Sequence, residues 1–349
     1  MRKYILISLA ILTIFGTLNT KTYAADPKLA QTGFQYLTVH SDARVLAMGE
    51  AFTAVSGNSI SIFYNPANIA FMEPFIDFSL SQNKWIADIN HYSGSIAFRP
   101  WDGRYGVFAV SILSVDYGEF IGTIPVADPT TGKDYTETGD FSPNAFSVGA
   151  AYSHALTDRF SFGIHVKYAY QDLGSSLIPS PDRDPTNPDD LSTIDKSYSE
   201  GVFAFDFGTA YRTGFKSLTF GMSVQNFARE VRYESEGFQL PLVFNIGISM
   251  DMMDLIAPDS KVHSFILAVD ANHPRAAPEQ LKIGGEYLFV NLIALRVGYN
   301  SSVDERDVSF GVGLKKDFGR RGGRVALDYA YTPFGVFDNV QRFSFSLAL

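Results

Sequence analysis

Six histidines, His40, His91, His154, His165, His263 and His273, are the residues of this chain best suited to hold a metal or move a proton. Their spacing contains no His-Glu-x-x-His pair, so a metal centre is not expected. Cysteine is absent, which removes thiolate nucleophiles, Cys-ligated zinc and any disulfide framework. There is no Gly-x-Ser-x-Gly elbow and no phosphate-binding Gly-x-x-x-x-Gly-Lys loop, and "GVGLKK" from Gly311 reads as a glycine-containing strand. A serine hydrolase would need a Ser and a His facing each other across strands, with a third group to hold the base, and nothing in the sequence points to that group. No catalytic residue, metal or cofactor is expected, and the chain reads as non-enzymatic. What stands out instead is "IFYNPANIAFMEPF", residues 62–75, where an Asn-Pro-Ala turn lies inside apolar sequence. Pro66 biases Asn65 away from helix and toward a tight turn.

The elements that must position such a turn follow from the period of the sequence. In "RFSFGIHVKYAYQ", Phe160, Phe162, Ile164, Val166, Tyr168 and Tyr170 face one way, and Ser161, Gly163, His165, Lys167, Ala169 and Gln171 the other. The ending "RFSFSLAL" opposes Phe343, Phe345, Leu347 and Leu349 to Arg342, Ser344, Ser346 and Ala348. The same alternation, with breaks, runs through 75–82, 91–99, 104–115, 145–154, 202–212, 217–227, 240–250, 262–271, 280–289, 292–300, 307–316 and 324–331. This predicts about fourteen strands of roughly ten residues, the length a tilted strand needs to cross a bilayer.

The fold class is therefore all-β, a transmembrane antiparallel barrel with an N-terminal plug or hatch segment. A soluble β-sandwich also alternates, but its outward face carries charge. Here the second face is mostly Ser, Gly, Ala and Thr, which suits a lumen. Phe 30, Tyr 18 and Gly 29, with 19% charged residues, agree with many strands and turns. Tyr168, Tyr170, Tyr329 and Tyr331 fit an interfacial aromatic girdle. Short links such as "PWDGR", "ALTD" and "RTGFK" alternate with long polar ones, 116–144 and 171–200, read as external loops whose acidity is solvated. The alternation weakens at "DMMDLIAPDSK" and "KKDFGRRGG". The net charge of −9 in 349 residues excludes a nucleic-acid partner.

Basic Arg2 and Lys3, the apolar run Ile5 to Leu18 and a small-residue exit read as a signal peptide over 1–25, with the mature chain starting near Ala25 or Asp26. Residues 26–74 lack the strand period, and 75–349 form the barrel. A fourteen-strand barrel is too wide for side chains alone to fill. The apolar Phe63, Tyr64, Ile69, Phe71 and Met72 would find cover in its lumen. Ser41 and Asp42 are candidate N-caps for a helix or turn over Ala43 to Phe52, with Gly49 and Gly57 as breakers. Arg44 is expected to pair with a lumen carboxylate, since a buried charge is costly unless paired.

"DARVLAMGEAFTAV" followed by "FYNPANIAFME" resembles the N-terminal signature of the PorV/PorQ family, itself similar to FadL-type outer-membrane barrels with an Asn-Pro-Ala hatch motif. The likeness continues in "NKWIADIN", "FDFGTAY", "VQNFA", "LPLVFNIGIS", "KIGGEYLFVNLIALRVGYN" and "ALDYAY". It implies a fourteen-strand barrel in the outer membrane of a Gram-negative cell, in contact with its lipid. It also implies a hatch motif of Asp42, Arg44, Met48, Gly49, Asn65, Pro66 and Ala67; a transporter would in addition need an apolar pocket, for which Phe63, Tyr64 and Phe71 are the candidate lining. PorV-like members serve type IX secretion, receiving secreted cargo and passing it to the attachment machinery, whereas FadL relatives move hydrophobic molecules such as long-chain fatty acids. Polar, acidic loops favour the secretion component over the transporter. The sequence departs from the family at Glu50, where a second glycine is usual, at Asn68, where FadL relatives have glycine, and at "VSGN", where an acidic pair is common.

Overall fold

A computed structural model describes residues 32–124, 132, 135–182, 192–260, 262–301, 307–318, 323–335 and 339–349. The expected signal peptide and its cleavage site, and parts of both long acidic segments, lie outside the described residues.

The strands, in chain order, are β1 (Ile76–Lys84), β2 (Asn90–Phe98), β3 (Val107–Asp116), β4 (Phe120–Ile124), β5 (Thr136–Phe141), β6 (Asn144–Ala155), β7 (Phe160–Pro179), β8 (Thr193–Arg212) and β9 (Thr219–Ala228). They continue with β10 (Val231–Arg232), β11 (Gly237–Phe238), β12 (Val243–Asp251), β13 (His263–Pro274), β14 (Gln280–Phe289), β15 (Ile293–Asn300), β16 (Val308–Phe318), β17 (Gly323–Thr332) and β18 (Val340–Ala348). Two pairs, β4 with β5 and β10 with β11, are small separate hairpins, and the other fourteen strands close into one antiparallel barrel. Closure runs through β1 and β18, in register from Asp77 opposite Ala348 to Lys84 opposite Gln341. The fourteen alternating segments of the sequence are these fourteen strands.

Why the period was legible is plain in β3. Phe108, Val110 and Ile112 are about half exposed on the outside, while Ala109 and Ser111, at 3% each, face inward. Lipid accepts the first set without cost, and only small or hydrogen-bonded groups fit the second. On β7 the inward residues include His165 and Lys167.

Both barrel termini, Ile76 and Ala348, lie at one end, together with the connections 99–106, 156–159, 213–218 and 290–292. This short-turn end also carries 252–262, which spends part of its length on a one-turn helix, Met253–Ile256. The opposite, long-loop end carries the links 117–143 and 180–192. Here the structure corrects the sequence reading. Much of 171–200 is not loop, because β7 and β8 continue as a paired ladder from Ser175 opposite Ser197 to Pro179 opposite Thr193. Within 116–144, β4 and β5 form a hairpin. Both ladders are wet on two faces, so hydrogen bonding continues where the hydrophobic period that reveals a strand does not.

Residues 34–72 pack against inner faces around the circumference of the barrel. The helix Ala43–Ala47 touches β15–β18, the 3-10 turn Ser59–Phe63 touches β1–β3, and the 3-10 turn Pro66–Phe71 touches β6–β8. Val45, Met48, Phe52, Ile62, Ile69 and Met72 are fully buried there, against Ala97, Ala109, Ala268 and Ala330 of the wall. Each such large side chain contributes about 1.5–3 kcal/mol of burial. Nearer the long-loop end, Phe34 and Tyr36 pack with Leu113, Val115 and Leu240.

Candidate functional site

The N-terminal segment fits the wall because glycines stand opposite each other on neighbouring strands. Gly163 of β7 faces Gly208 of β8. A Cβ on Gly163 would lie 2.5 Å from the Pro66 carbonyl carbon, and one on Gly208 would lie 2.0 Å from Asn65 Oδ1. Gly221 of β9 faces Gly247 of β12, and a Cβ on Gly221 would lie 2.3 Å from the Thr53 carbonyl oxygen. Gly284 of β14 faces Gly298 of β15, and Cβ atoms there would meet Met48 and Gly49 at 2.4 and 1.8 Å. Each pair forms a seat for one bend of the segment.

At the first seat, Asn65 answers the question its sequence raises. Its Oδ1 accepts from the Ala67 N–H at 3.1 Å, capping the turn that Pro66 opens. Its Nδ2 donates to the Thr53 and Thr209 carbonyls at 2.8 and 3.0 Å. Asn68 donates to the same Thr53 carbonyl at 2.9 Å. From the wall, Ser153 donates to the Pro66 carbonyl and Ser161 to the Ala67 carbonyl, while Gln225 reaches the Phe63 and Tyr64 carbonyls. A buried turn must satisfy its backbone polar groups, and here wall side chains do so.

At the Gly284/Gly298 seat the locking is ionic. Asp42 caps the helix through Val45 N–H at 3.0 Å and accepts from Ser81 at 3.2 Å. Arg44 forks onto Glu286 at 2.8 and 2.7 Å. Arg296 bridges Glu286 to Asp328 at 2.6 Å on each side. The helix ends at Ala47, earlier than the span to Phe52 read from the sequence, because Gly49 and then Glu50 take left-handed φ of +61° and +65° over the seat. That backbone favours glycine at position 50. Glu50 bears the strain and extends to Lys282 at 2.7 Å, both side chains buried.

A second polar cluster lies in the wall. Ser111 Oγ is 2.9 Å from His165 Nε2, and His165 Nδ1 is 2.8 Å from Asp206 Oδ2. Asp206 supplies the third group that the sequence did not reveal, although "FDFGTAY" contains it. Lys167 Nζ also reaches Asp206 at 2.8 Å. The bonding order is that of a serine, a base and an acid, but a Cβ on Gly149 would lie 2.3 Å from His165 Nε2 and Ser111 lines no described cavity. The cluster balances a buried lysine against a buried aspartate. Among the described residues no group of three His, Asp or Glu side chains is placed to hold a metal.

Between the segment and the wall lies a cavity of about 430 Å³ lined by Tyr64, Asn226, Asn245, Asn272 and Lys282 among others. Adjoining it is a space of about 30 Å³ lined by Phe63, Tyr64, His165 and Lys167. Of the three aromatics expected to line a ligand path, Tyr64 lines both spaces, and Phe63 only the smaller. Phe71 lines neither, and lies under the Arg212 guanidinium at 3.8 Å near the short-turn end.

The fold has close counterparts among solved structures. The toluene transporter TbuX of Ralstonia pickettii superposes with a TM-score of 0.56 at 13% identity, covering 88% of this chain and 98% of that one. TodX, a toluene transporter of Pseudomonas putida, gives 0.57 at 11% identity over 92% and 98%. A FadL homologue of Pseudomonas aeruginosa gives 0.52 at 12% over 88% and 97%. At such identities the likeness is one of fold. No curated protein matches the sequence. The family described as type IX secretion system protein PorV matches residues 22–266, from before the N-terminal segment into β13. Over two thirds of its length the sequence thus carries the pattern of one family, and the chain belongs to the PorV family of type IX secretion system proteins.

Proposed function

We propose that this chain is a non-enzymatic, outer-membrane component of type IX secretion that holds secreted cargo or a secretion partner at its long-loop end. Family membership carries this reading. Short turns of such barrels face the periplasm and longer links face outward, so the long-loop end is the external one, and the mature chain follows removal of residues 1–25. In this reading the segment up to Met72 is a plug. The cavities beside it, of about 430, 100 and 30 Å³, are too small for a polypeptide, which favours docking over conduction. The test is mass spectrometry of the protein purified from native outer membrane in mild detergent. Stoichiometric secretion partners support docking; a bound hydrophobic molecule without any protein partner overturns it in favour of FadL-like transport. That second reading draws on the fold shared with toluene transporters.

A further inference from the structure

On the outer surface of the barrel, Gly201 has the Tyr168 ring over it and Gly285 the Phe265 ring. Gly94 of β2 faces outward too, between the exposed Tyr92 and Ile96, but its neighbours are aliphatic. By register it lies between Leu80 of β1 and Ile112 of β3, whose tips would be 3.1 and 3.2 Å from a Cβ placed there. Here the lipid-facing surface sinks into a hollow of about 420 Å³, flanked by Tyr92, Leu327 and Phe343. These five side chains are about half exposed, so an occupant reaches them. The hollow is continuous with the face that meets hydrocarbon, and the bilayer supplies the apolar part of what fills it.

Toward the long-loop end the hollow has a polar edge. Register sets Ser114, Tyr92 and Gln82 side by side across β3, β2 and β1, all lining the hollow. Neither the two hydroxyls nor the amide has a hydrogen-bond partner among the described residues. Two residues further along β1, about 7 Å at the rise of a strand, Lys84 points the same way and is exposed. Its register neighbours Asn90 and Gln341 are neutral. Asp88 and Asp116 share its rim, yet Lys84 forms no ion pair among the described residues.

From water inward the surface thus offers a cation, a row of neutral polar groups and an apolar trough. Plain hydrocarbon would leave the polar row unpaired at a cost. A membrane-spanning protein segment spends its backbone carbonyls on its own hydrogen bonds and has none to spare for that row. A diacyl phospholipid carries the matching parts in the matching order: phosphate, ester carbonyls, acyl chain. We propose that this hollow holds one glycerophospholipid, with an acyl chain across Gly94, ester carbonyls on Gln82 and Tyr92, and the phosphate on Lys84. The site requires only a membrane-embedded barrel, so it and the docking role can each fail alone.

The test is native mass spectrometry of the full chain released from detergent micelles. The probe is dipalmitoyl phosphatidylethanolamine, and dipalmitoylglycerol is the control that lacks the phosphate. One phosphatidylethanolamine is expected to stay bound, and Gly94→Leu, which fills the hollow, weakens it at least about ten-fold. Lys84→Gln removes the preference over dipalmitoylglycerol. Heat-modifiable gel mobility shows whether each variant keeps a closed barrel. A readout on the unaltered protein uses phosphatidylethanolamine with a diazirine in its acyl chain. It should label Leu80 and Ile112 more strongly than Leu295 and Val297 of β15, since all four are 50% to 52% exposed and differ only in the hollow. Three outcomes overturn the proposal: the two lipids are retained equally, Gly94→Leu retains the probe as the parent does, or the four positions are labelled alike.

Discussion

Two of the three glycine seats of the N-terminal segment share a steric device and differ in chemistry. Both Ala43–Glu50 and Asn65–Phe71 lie on facing glycines. The first is then locked by buried charges, Arg44, Glu286, Arg296 and Asp328, and the second by neutral amides and hydroxyls, Asn65, Asn68, Ser153 and Ser161. Shape can therefore be shared while the lock differs. An ionic lock depends on every member, because removing one leaves an uncompensated buried charge. A lock of neutral hydrogen bonds loses its members one at a time.

The largest effect is expected from Glu286→Ala, which leaves Arg44 and Arg296 with only Asp328 between them. Breaking a buried pair costs about 3–5 kcal/mol. Hydrogen exchange at Leu46 and Ala51 should accelerate while Ala67 and Asn68 stay protected, and uniform acceleration would show that the two anchors are one unit. Gly208→Val fills the seat under Asn65 and should cost about 2–3 kcal/mol as overpacking. The exchange pattern should be the reverse, with Ala67 and Asn68 released first. Asn65→Ala keeps the seat and removes three hydrogen bonds. With Asn68 still donating to Thr53, the loss should be about 1–3 kcal/mol in urea unfolding.

Glu50→Gly separates strain from charge. Glycine relieves roughly 1 kcal/mol of left-handed strain but leaves Lys282 without this carboxylate, so the variant should be less stable than the parent. Adding Lys282→Met should recover the loss, and a double variant no better than the single one would mean that the pair is not what offsets the strain. The smallest effect belongs to Lys196 of β8 and Glu234 of the turn between β10 and β11, an exposed pair at the long-loop end. The hydrogen bond from Lys196 holds the Glu234 carboxyl below its usual range. A depressed carboxyl stabilises above its unfolded pKa and loses that contribution as pH falls through the folded one. Full exposure screens it, so Glu234→Gln should unfold at the same urea concentration as the parent at neutral and at acid pH.

Arg44 shows how much of the site was legible. That it would need a carboxylate follows from its place in apolar sequence, but which carboxylate follows only from the barrel, since Glu286 is 242 residues away. Asn65 and Pro66 announced a turn, yet the glycines that receive it, Gly163 and Gly208, read in the sequence as ordinary small residues of two strands. Ser111, His165 and Asp206 belong to three strands and share no local pattern. Asn226 was hidden for a different reason: the period-two rule holds only while the register is regular, and the slip between Phe205 and Phe207 on the neighbouring strand breaks it.

The sequence by itself determined the barrel. Lipid on one side and a crowded lumen on the other impose a period of two on every strand, and that period is a property of neighbours in the chain. The tertiary structure decided the seats, the ionic lock, the extended ladders at the long-loop end and the cavity. Each of these depends on register between strands far apart in sequence, or on hydrogen bonds between wet strands that no hydrophobic pattern records.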